Sequence, residues 1–270
     1  MGSFRFIHMS DLHFLRHYSS KGFEGFLKKS RHPRLNLIDC LRTEKAQGLD
    51  FVLITGDLTQ EGDDDDFSAL KNLLEQEIGT TPVYALPGNH DPRNAFCNSF
   101  LGIGYTERVN RVYNQGGLRI VALDTGRGIT GTVDTPQLAW LQEVLSTPSS
   151  EGTLLMVHHP LIPNQDNLGT AQYDSALVGL IAHSDILGVF CGHTHHNLIT
   201  QFASKPYYTA DSMAYSLQVQ GDEASFECLA AYNLLTLSDK NLFAQVKLAA
   251  PAPAVAARFS MNSLSQLLSK

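Results

Sequence analysis

At 270 residues, 43% apolar and 17% charged, the chain has the composition of a globular protein long enough to bury a core without staples. A net charge of −7 and a pI near 5.8 set the global field against polyanions; this argues against long nucleic acid as the main partner and leaves a small phosphorylated substrate open. There is no run long enough to span a membrane and no signal-like apolar stretch, so the expectation is a cytoplasmic protein that keeps Cys40, Cys97, Cys191 and Cys228 as reduced thiols. Gly2 does not make a myristoylation signal, because Phe6 stands where Ser or Thr is needed.

Taken in order, residues 4–9 read as a first strand, closed by Ser10-Asp11-Leu12-His13. Residues 14–33 form a basic loop with Arg16, His17, Lys21, Lys28, Lys29, Arg31 and His32, read either as a solvated surface loop or as a flap over an anionic substrate. Pro33 opens a helix whose apolar face is Leu35, Ile38, Leu41 and Ala46 and which Gly48 ends. Residues 51–54 form a strand that stops at Thr55-Gly56-Asp57. The acidic row of residues 63–66 reads as the start of the next helix, where carboxylates suit the dipole, rather than as a metal site.

A third strand, residues 83–86, ends at Pro87 and Gly88-Asn89-His90-Asp91. The β-α-β-α-β start places polar residues at the C-terminal ends of strands, where open α/β sheets gather their sites. Residues 111–114 and 118–123 flank Gln115-Gly116-Gly117 as a hairpin, with Asp124 at its end. Thr135 and Pro136 start a helix as N-cap and first residue. Residues 153–157 form a buried strand that ends in His158-His159-Pro160, and residues 161–173 a polar loop. Residues 174–183 read as helical. Residues 186–190 form a strand ending at Cys191-Gly192-His193-Thr194-His195. Short strand-like runs at 198–202, 207–209, 230–237 and 243–248 suggest an antiparallel second sheet. Residues 251–254 read as a stiff linker, and Phe259, Leu264, Leu267 and Leu268 as a short amphipathic C-terminal helix, which gives one domain over 1–250 and an appendage over 251–270.

Five apolar runs thus end in polar corners. Asp11 and His13 lie two apart, so in an extended segment they face one side; His193 and His195 repeat the spacing. Gly56, Gly88 and Gly192 permit tight backbone at three of the corners. The inventory is Asp11, His13, Asp57, Asn89, His158, His193 and His195: imidazole, carboxylate and amide donors without thiolate, which suits Zn, Mn, Fe or Co. Seven donors exceed what one ion with an open position needs, and suit two ions about 3.5–4 Å apart that share a carboxylate and clamp a phosphoryl group. Two divalent ions, two carboxylates and a hydroxide leave about one positive charge, complementary to a phosphodiester monoanion. His8 reads as a packed core histidine and His183 as an ordinary helix C-terminal cation.

The blocks Asp11-Leu12-His13, Gly56-Asp57, Gly88-Asn89-His90-Asp91, His158 and Gly192-His193-Thr194-His195 resemble the calcineurin-like metallophosphoesterase superfamily. Within it the chain is most similar to the class III cyclic-nucleotide phosphodiesterases and their glycerophosphodiesterase relatives. Gly56-Asp57-Leu58-Thr59-Gln60-Glu61-Gly62 resembles the cyclic-AMP branch. The resemblance covers residues 11–195 and implies an α/β fold, a four-layer αββα sandwich of two mixed β-sheets flanked by helices, with a dinuclear metal site at strand ends. It implies that Asp11, His13 and His195 hold the first metal, that Asn89, His158 and His193 hold the second, and that Asp57 bridges. His90 then acts on the phosphate and the leaving oxygen, and Asp91 orients His90 or supports the shell. Asn89, His90, His159, His196, Arg16 and His17 are the substrate-contact candidates.

The implied activity is hydrolysis of a small phosphodiester, 3′,5′-cyclic AMP first, by a hydroxide held between two divalent or mixed Fe³⁺/M²⁺ ions of Mn, Fe or Zn. A glycerophosphodiesterase, a phosphomonoesterase and a pyrophosphatase are the alternatives within the superfamily. A non-catalytic scaffold is disfavoured by the intact donor set. By analogy with such relatives a homodimer is expected.

Overall fold

The computed structural model describes residues 2–20, 24–27, 31–249, 255–260 and 263. In chain order the elements are β1 (Phe4–Met9), α1 (Glu24–Leu27), α2 (Pro33–Ala46), β2 (Phe51–Thr55), α3 (Asp64–Ile78) and β3 (Val83–Leu86). There follow α4 (Arg93–Ala95), which continues as a π-helical segment Phe96–Leu101, then β4 (Arg111–Gln115), β5 (Leu118–Leu123), β6 (Thr132–Val133), α5 (Thr135–Leu145) and β7 (Thr153–Val157). The remainder is β8 (Gln172–Tyr173), α6 (Ala176–His183), β9 (Ile186–Cys191), β10 (Leu198–Phe202), β11 (Lys205–Thr209), β12 (Ser216–Gln220), β13 (Glu223–Glu227), β14 (Ala231–Ser238), β15 (Asn241–Leu248) and β16 (Val255–Ser260).

Two mixed sheets stack face to face. One has the order β15-β14-β1-β2-β3, the other β10-β11-β9-β7-β5-β4. In the first sheet β1, β2 and β3 run parallel and β14 and β15 pair antiparallel beside β1; in the second β11, β9, β7 and β5 run parallel and the edge strands β10 and β4 antiparallel. Central strands read as continuous apolar runs because both of their faces are covered. In β1 and β2, Ile7, Met9, Val52 and Ile54 turn outward onto Leu37, Leu41, Phe67 and Leu70 of α2 and α3. Their alternates Phe6, Phe51 and Leu53 turn inward against Ile120, Leu154, Met156 and Phe190 of the other sheet. There Leu155 and Val157 turn out onto Leu141, Leu145, Leu177 and Ile181 of α5 and α6. The result is a helix–sheet–sheet–helix sandwich that brings the C-terminal ends of β1, β2, β3, β7 and β9 to one edge. No helix among the described residues is long and apolar enough to cross a membrane.

Local chemistry accounts for most boundaries. Asp63 caps α3 and forms a reciprocal capping box with Asp66, so the acidic row is a helix start. Gly116 and Gly117, at φ 59° and 92°, form the two-residue turn of the β4–β5 hairpin. The cap of α5 is Asp134, paired with Gln137, one residue before the expected Thr135. Three expectations are corrected. The runs after residue 198 do not make a sheet of their own: β14 and β15 extend the first sheet beside β1, and β10 and β11 extend the second beside β9. The sequence reading missed β12 and β13, which pair with β16 in a separate three-stranded sheet. Residues 255–260 form that strand, where a helix was expected, because β13 offers an open edge to pair with. Lys21, Lys28, Lys29, residues 251–254 and Leu264, Leu267 and Leu268 lie outside the described residues.

Candidate metal centre

The five corners converge. The Asp11 backbone N–H donates to Gly56 O at 3.0 Å, that of His13 to Asp57 O at 3.0 Å, and that of Gly192 to His158 O at 2.9 Å. The approach is close enough to require glycine: a Cβ on Gly88 would stand 2.3 Å from the Asp57 nitrogen, and one on Gly192 1.8 Å from Ser10 Oγ. The backbone between Asp11 and His13 is not extended. Asp11, His13, Asp57, His193 and His195 all have left-handed φ, at 51°, 43°, 48°, 72° and 47°. Each such residue costs about 1–3 kcal/mol, and their clustering at one point marks a functional site. The strain turns five side chains from three strand ends, those of β1, β2 and β9, toward a common centre. It also places His193 in one group of donors and His195 in the other, where their spacing by itself would face them to one side and the resemblance divides them.

One group is Asp11, His13, Asp57 and His195; the other is His158, His159 and His193, joined by Asn89. His13 Nδ1 pairs with the Gln60 amide oxygen at 2.6 Å, His158 Nδ1 donates to Thr55 O at 2.7 Å, and His195 Nδ1 donates to Tyr215 O at 3.1 Å. Because those partners accept, the Nδ1 atoms carry the protons and the Nε2 lone pairs turn inward. His13 Nε2 and His195 Nε2 then face one another at 3.0 Å, with Asp11 Oδ1 3.2 Å from the latter. Asn89 Oδ1 lies 2.9 Å from His158 Nε2 and 2.8 Å from His193 Nδ1. Asp57 spends Oδ1 on the His90 N–H at 2.8 Å, while Oδ2 sits 3.8 Å from His13 Nε2 and 3.5 Å from His158 Nε2. Bonds of about 2.1 Å at right-angle to tetrahedral spacing set donors about 3.0–3.4 Å apart, so the donor set fits cations on both sides of Asp57.

The electrostatics agree. Burial, reinforced by neighbouring imidazoles, lowers His13 and His159 to about 3 and His193 well below the ordinary range, which keeps their nitrogens unprotonated at neutral pH. Burial opposes charge on Asp57, yet His158, His90 and His13 overcome it and hold the carboxyl well below the carboxylate range; Asp11 is lowered likewise, chiefly by His195. His158 moves the other way: burial would lower it, but Asp57 and Asp11 raise it to about 9. The field that favours a proton there favours a cation in its place.

Around this floor, His90 lines the cleft with Nδ1 3.2 Å from Gln60 Nε2 and 3.4 Å from Glu61 Oε1. Burial is outweighed by Asp57 and Glu61, which raise its pKa. Asp91 is buried and accepts from the Leu58, Thr59 and Gly88 N–H groups and from Thr59 Oγ1. Its carboxylate therefore ties the Gly88 corner to the Gly56 corner, while Gln60 and Glu61 are the groups beside the His90 ring. Burial, and then Asp57, raises Asp91 to about 6.

The other candidates sit elsewhere. The Arg16 guanidinium is on Asp63, Asp65 and Asp66 of the α3 cap. His17 is exposed and does not line the cleft. His159 stands beside His158 and His193, but its Nδ1 is on Thr125 Oγ1 at 2.6 Å and its Nε2 on Gly128 O at 2.8 Å, so both of its ring nitrogens have protein partners. His196 pairs with Gln218 at 3.0 Å. His8 is buried between the sheets on Thr55 Oγ1.

Sequence reasoning missed Gln60 as an orienting partner, although it lies in a quoted block. It missed Arg93, whose buried guanidinium pairs with Asp124 and donates to the Gly88 and Asp91 carbonyls behind the corner. It also missed Tyr215, whose carbonyl orients His195 and whose ring packs on it at 4.4 Å. Arg93 and Tyr215 belong to no spaced motif.

Residues 4–197 match the model of the calcineurin-like phosphoesterase family. A probable cyclic nucleotide phosphodiesterase of Rhodococcus erythropolis is 31% identical over 221 residues, covering 78% of this chain and 71% of that protein. A probable glycerophosphodiester phosphodiesterase of Arcobacter nitrofigilis is 27% identical over 214 residues, covering 74% and 77%. Among solved structures, purple acid phosphatase from yellow lupin seeds shares the fold with a TM-score of 0.67 at 12% identity, over 96% of this chain and 53% of that one.

Proposed function

The chain belongs to the calcineurin-like phosphoesterase family, and from that premise we propose that it is a two-metal phosphodiesterase acting on 3′,5′-cyclic nucleotides, cyclic AMP first. The observation that carries this reading is the shared carboxylate, with Asp57 Oδ2 between His13 Nε2 and His158 Nε2 and a set of inward-turned donors on each side. In this reading Asp11, His13 and His195 hold one ion, Asn89, His158 and His193 the other, and Asp57 both. Divalent or mixed Fe³⁺/M²⁺ ions of Mn, Fe or Zn supply Lewis acidity toward a phosphoryl group and toward water. The neutral amide of Asn89 leaves the floor positive enough for a phosphodiester monoanion. His90, whose pKa Asp57 and Glu61 raise, lines the cleft and in this reading supplies the proton to the leaving oxygen. Asp91 fixes the spacing of the two corners that carry Asp57 and Asn89.

The cyclic-nucleotide preference draws support from the Rhodococcus relative. The Arcobacter relative supports a second reading, hydrolysis of glycerophosphodiesters by the same floor. Protein reconstituted with Mn²⁺ and offered cyclic AMP, cyclic GMP, glycerophosphodiesters, a phosphomonoester and a pyrophosphate separates these readings. Diester turnover well above monoester turnover, with cyclic AMP leading, is expected; a strong monoester preference overturns the diesterase reading.

A further inference from the structure

The cleft above the metal centre has a lining of two unlike kinds: Asp57, Asn89, His90, His193 and His195 are polar, and Ile129, Leu168, Tyr215, Leu217 and Phe226 present apolar surface. We propose that this apolar lining, formed by Ile129, Leu168, Leu217 and Phe226, selects diesters whose ester group presents a flat apolar face, a nucleobase above all, and does so with only weak discrimination between one purine and another. The proposal rests on the diesterase reading above and adds which residues choose the substrate.

The wall is built, not incidental. Leu217 and Phe226 are direct cross-strand partners in β12 and β13. Phe226 is backed by Tyr215 at 5.2 Å and, from β16, by Phe259 edge-on at 5.8 Å and 88°. These residues form a small core of their own, on which Leu168 packs. Ile129 is 67% exposed, the most exposed of the large apolar side chains, and it stands at the mouth of the cleft rather than on an open face. Its loop is pinned there: a Cβ on Gly169 would come within 2.2 Å of Ile129 O, and the Gln172 N–H donates to Gly131 O at 2.8 Å. Four apolar groups from three chain segments are therefore held against one open cleft, an arrangement suited to an apolar-faced ligand.

The wall also defines what it cannot read. Among the described residues that line the cleft there is no lysine or arginine, so the wall itself offers a ligand apolar contact and no cationic side chain. Arg127, near the rim, is engaged with Glu61 and the Asn89 carbonyl. Adenine and guanine differ in the hydrogen-bonding groups on their edges, and apolar contact does not sense that difference, whereas a polar alcohol such as glycerol gains nothing from the wall.

The test measures kcat and KM on the Mn²⁺-loaded full chain for cyclic AMP, cyclic GMP and a base-less 3′,5′-cyclic ribose phosphate, and for phenyl and methyl p-nitrophenyl phosphate. The wild-type protein is compared with the double variant Ile129→Ser/Leu168→Ser. Phe243→Ser, an exposed apolar position on β15, is the control. The wild type is expected to favour base-bearing over base-less and phenyl over methyl substrates by about tenfold or more. The double variant is expected to lose most of that preference, through KM more than kcat, and Phe243→Ser to keep it. A preference that is absent from the wild type, or that survives the double variant, overturns the wall; so does a cyclic AMP to cyclic GMP ratio beyond about 100-fold. If no cyclic phosphate is cleaved but the phenyl preference is present and wall-dependent, the cyclic-nucleotide reading falls and the wall stands. If no diester of any kind is cleaved, both fall.

Discussion

The floor and the wall of the cleft line the same space and are held by different forces. The floor takes its side chains from five strand ends on both sheets, fixes them by charge and hydrogen bonds, and accepts left-handed backbone at five positions. The wall takes its side chains from two loops and a hairpin and fixes them by packing, with Leu217 and Phe226 in regular cross-strand register and at no left-handed φ. A donor about 1 Å out of place no longer binds, whereas an apolar contact of that kind weakens by degrees. Loss of one floor residue should therefore abolish function, and loss of one wall residue should retune it.

The largest effect expected is on the floor. Asp57→Asn keeps size and shape and removes the charge that both donor groups share. Turnover and bound metal should fall by more than the ~100-fold that loss of an outer partner costs, with an unchanged far-ultraviolet circular dichroism spectrum. Activity near wild type, measured with metal content by plasma emission, rules out the shared carboxylate.

Next in size is a pH effect, also on the floor. Burial would lower His158, but Asp57 and Asp11 raise it to about 9, so below that pH a cation must displace a proton. Apparent metal affinity should rise about tenfold per pH unit up to about 9 and level off above it. Chelator competition across this range measures the slope, and a flat profile contradicts the assigned field. In Asp57→Asn the largest charge that raises His158 is gone, so the slope should shift to lower pH.

The smallest effect belongs to the wall. Phe259→Ala removes the ring behind Phe226 without touching the cleft. An aromatic pair of this kind corresponds to about a two- to tenfold change, expected in KM for base-bearing substrates more than in kcat. A collapse of kcat instead would show that β16 supports the floor as well, and would blur the contrast between the two sides.

The floor was legible in the sequence because its residue types are rare at strand ends and carry fixed local spacing. Asp11 with His13, Asp57 after Gly56, Asn89 after Gly88, His158, and His193 with His195 all come to the one centre. The central strands were legible for a similar local reason, since apolar runs such as those of β2 and β7 bury both faces. Periodicity did not show where strands outside those runs pair. β14 reads like any alternating strand, and its place beside β1 follows from the edge that β1 leaves open. Residues 255–260 read as part of a helix until β13 offers them a partner.

Composition and spacing, acting over a few residues, determined the donor chemistry, the α/β order and the strand-end location of the centre. Spacing did not say which donors share a side; the family resemblance divided them, and left-handed backbone, which local pattern does not report, is what sets His193 and His195 in different groups. Tertiary structure alone decided that Gln60 and Tyr215 orient imidazoles 47 and 20 residues away. It alone assembled Ile129, Leu168, Leu217 and Phe226 into one surface. Apolar side chains carry no directional signature in sequence, and what they face is settled only when the sheets and loops have packed.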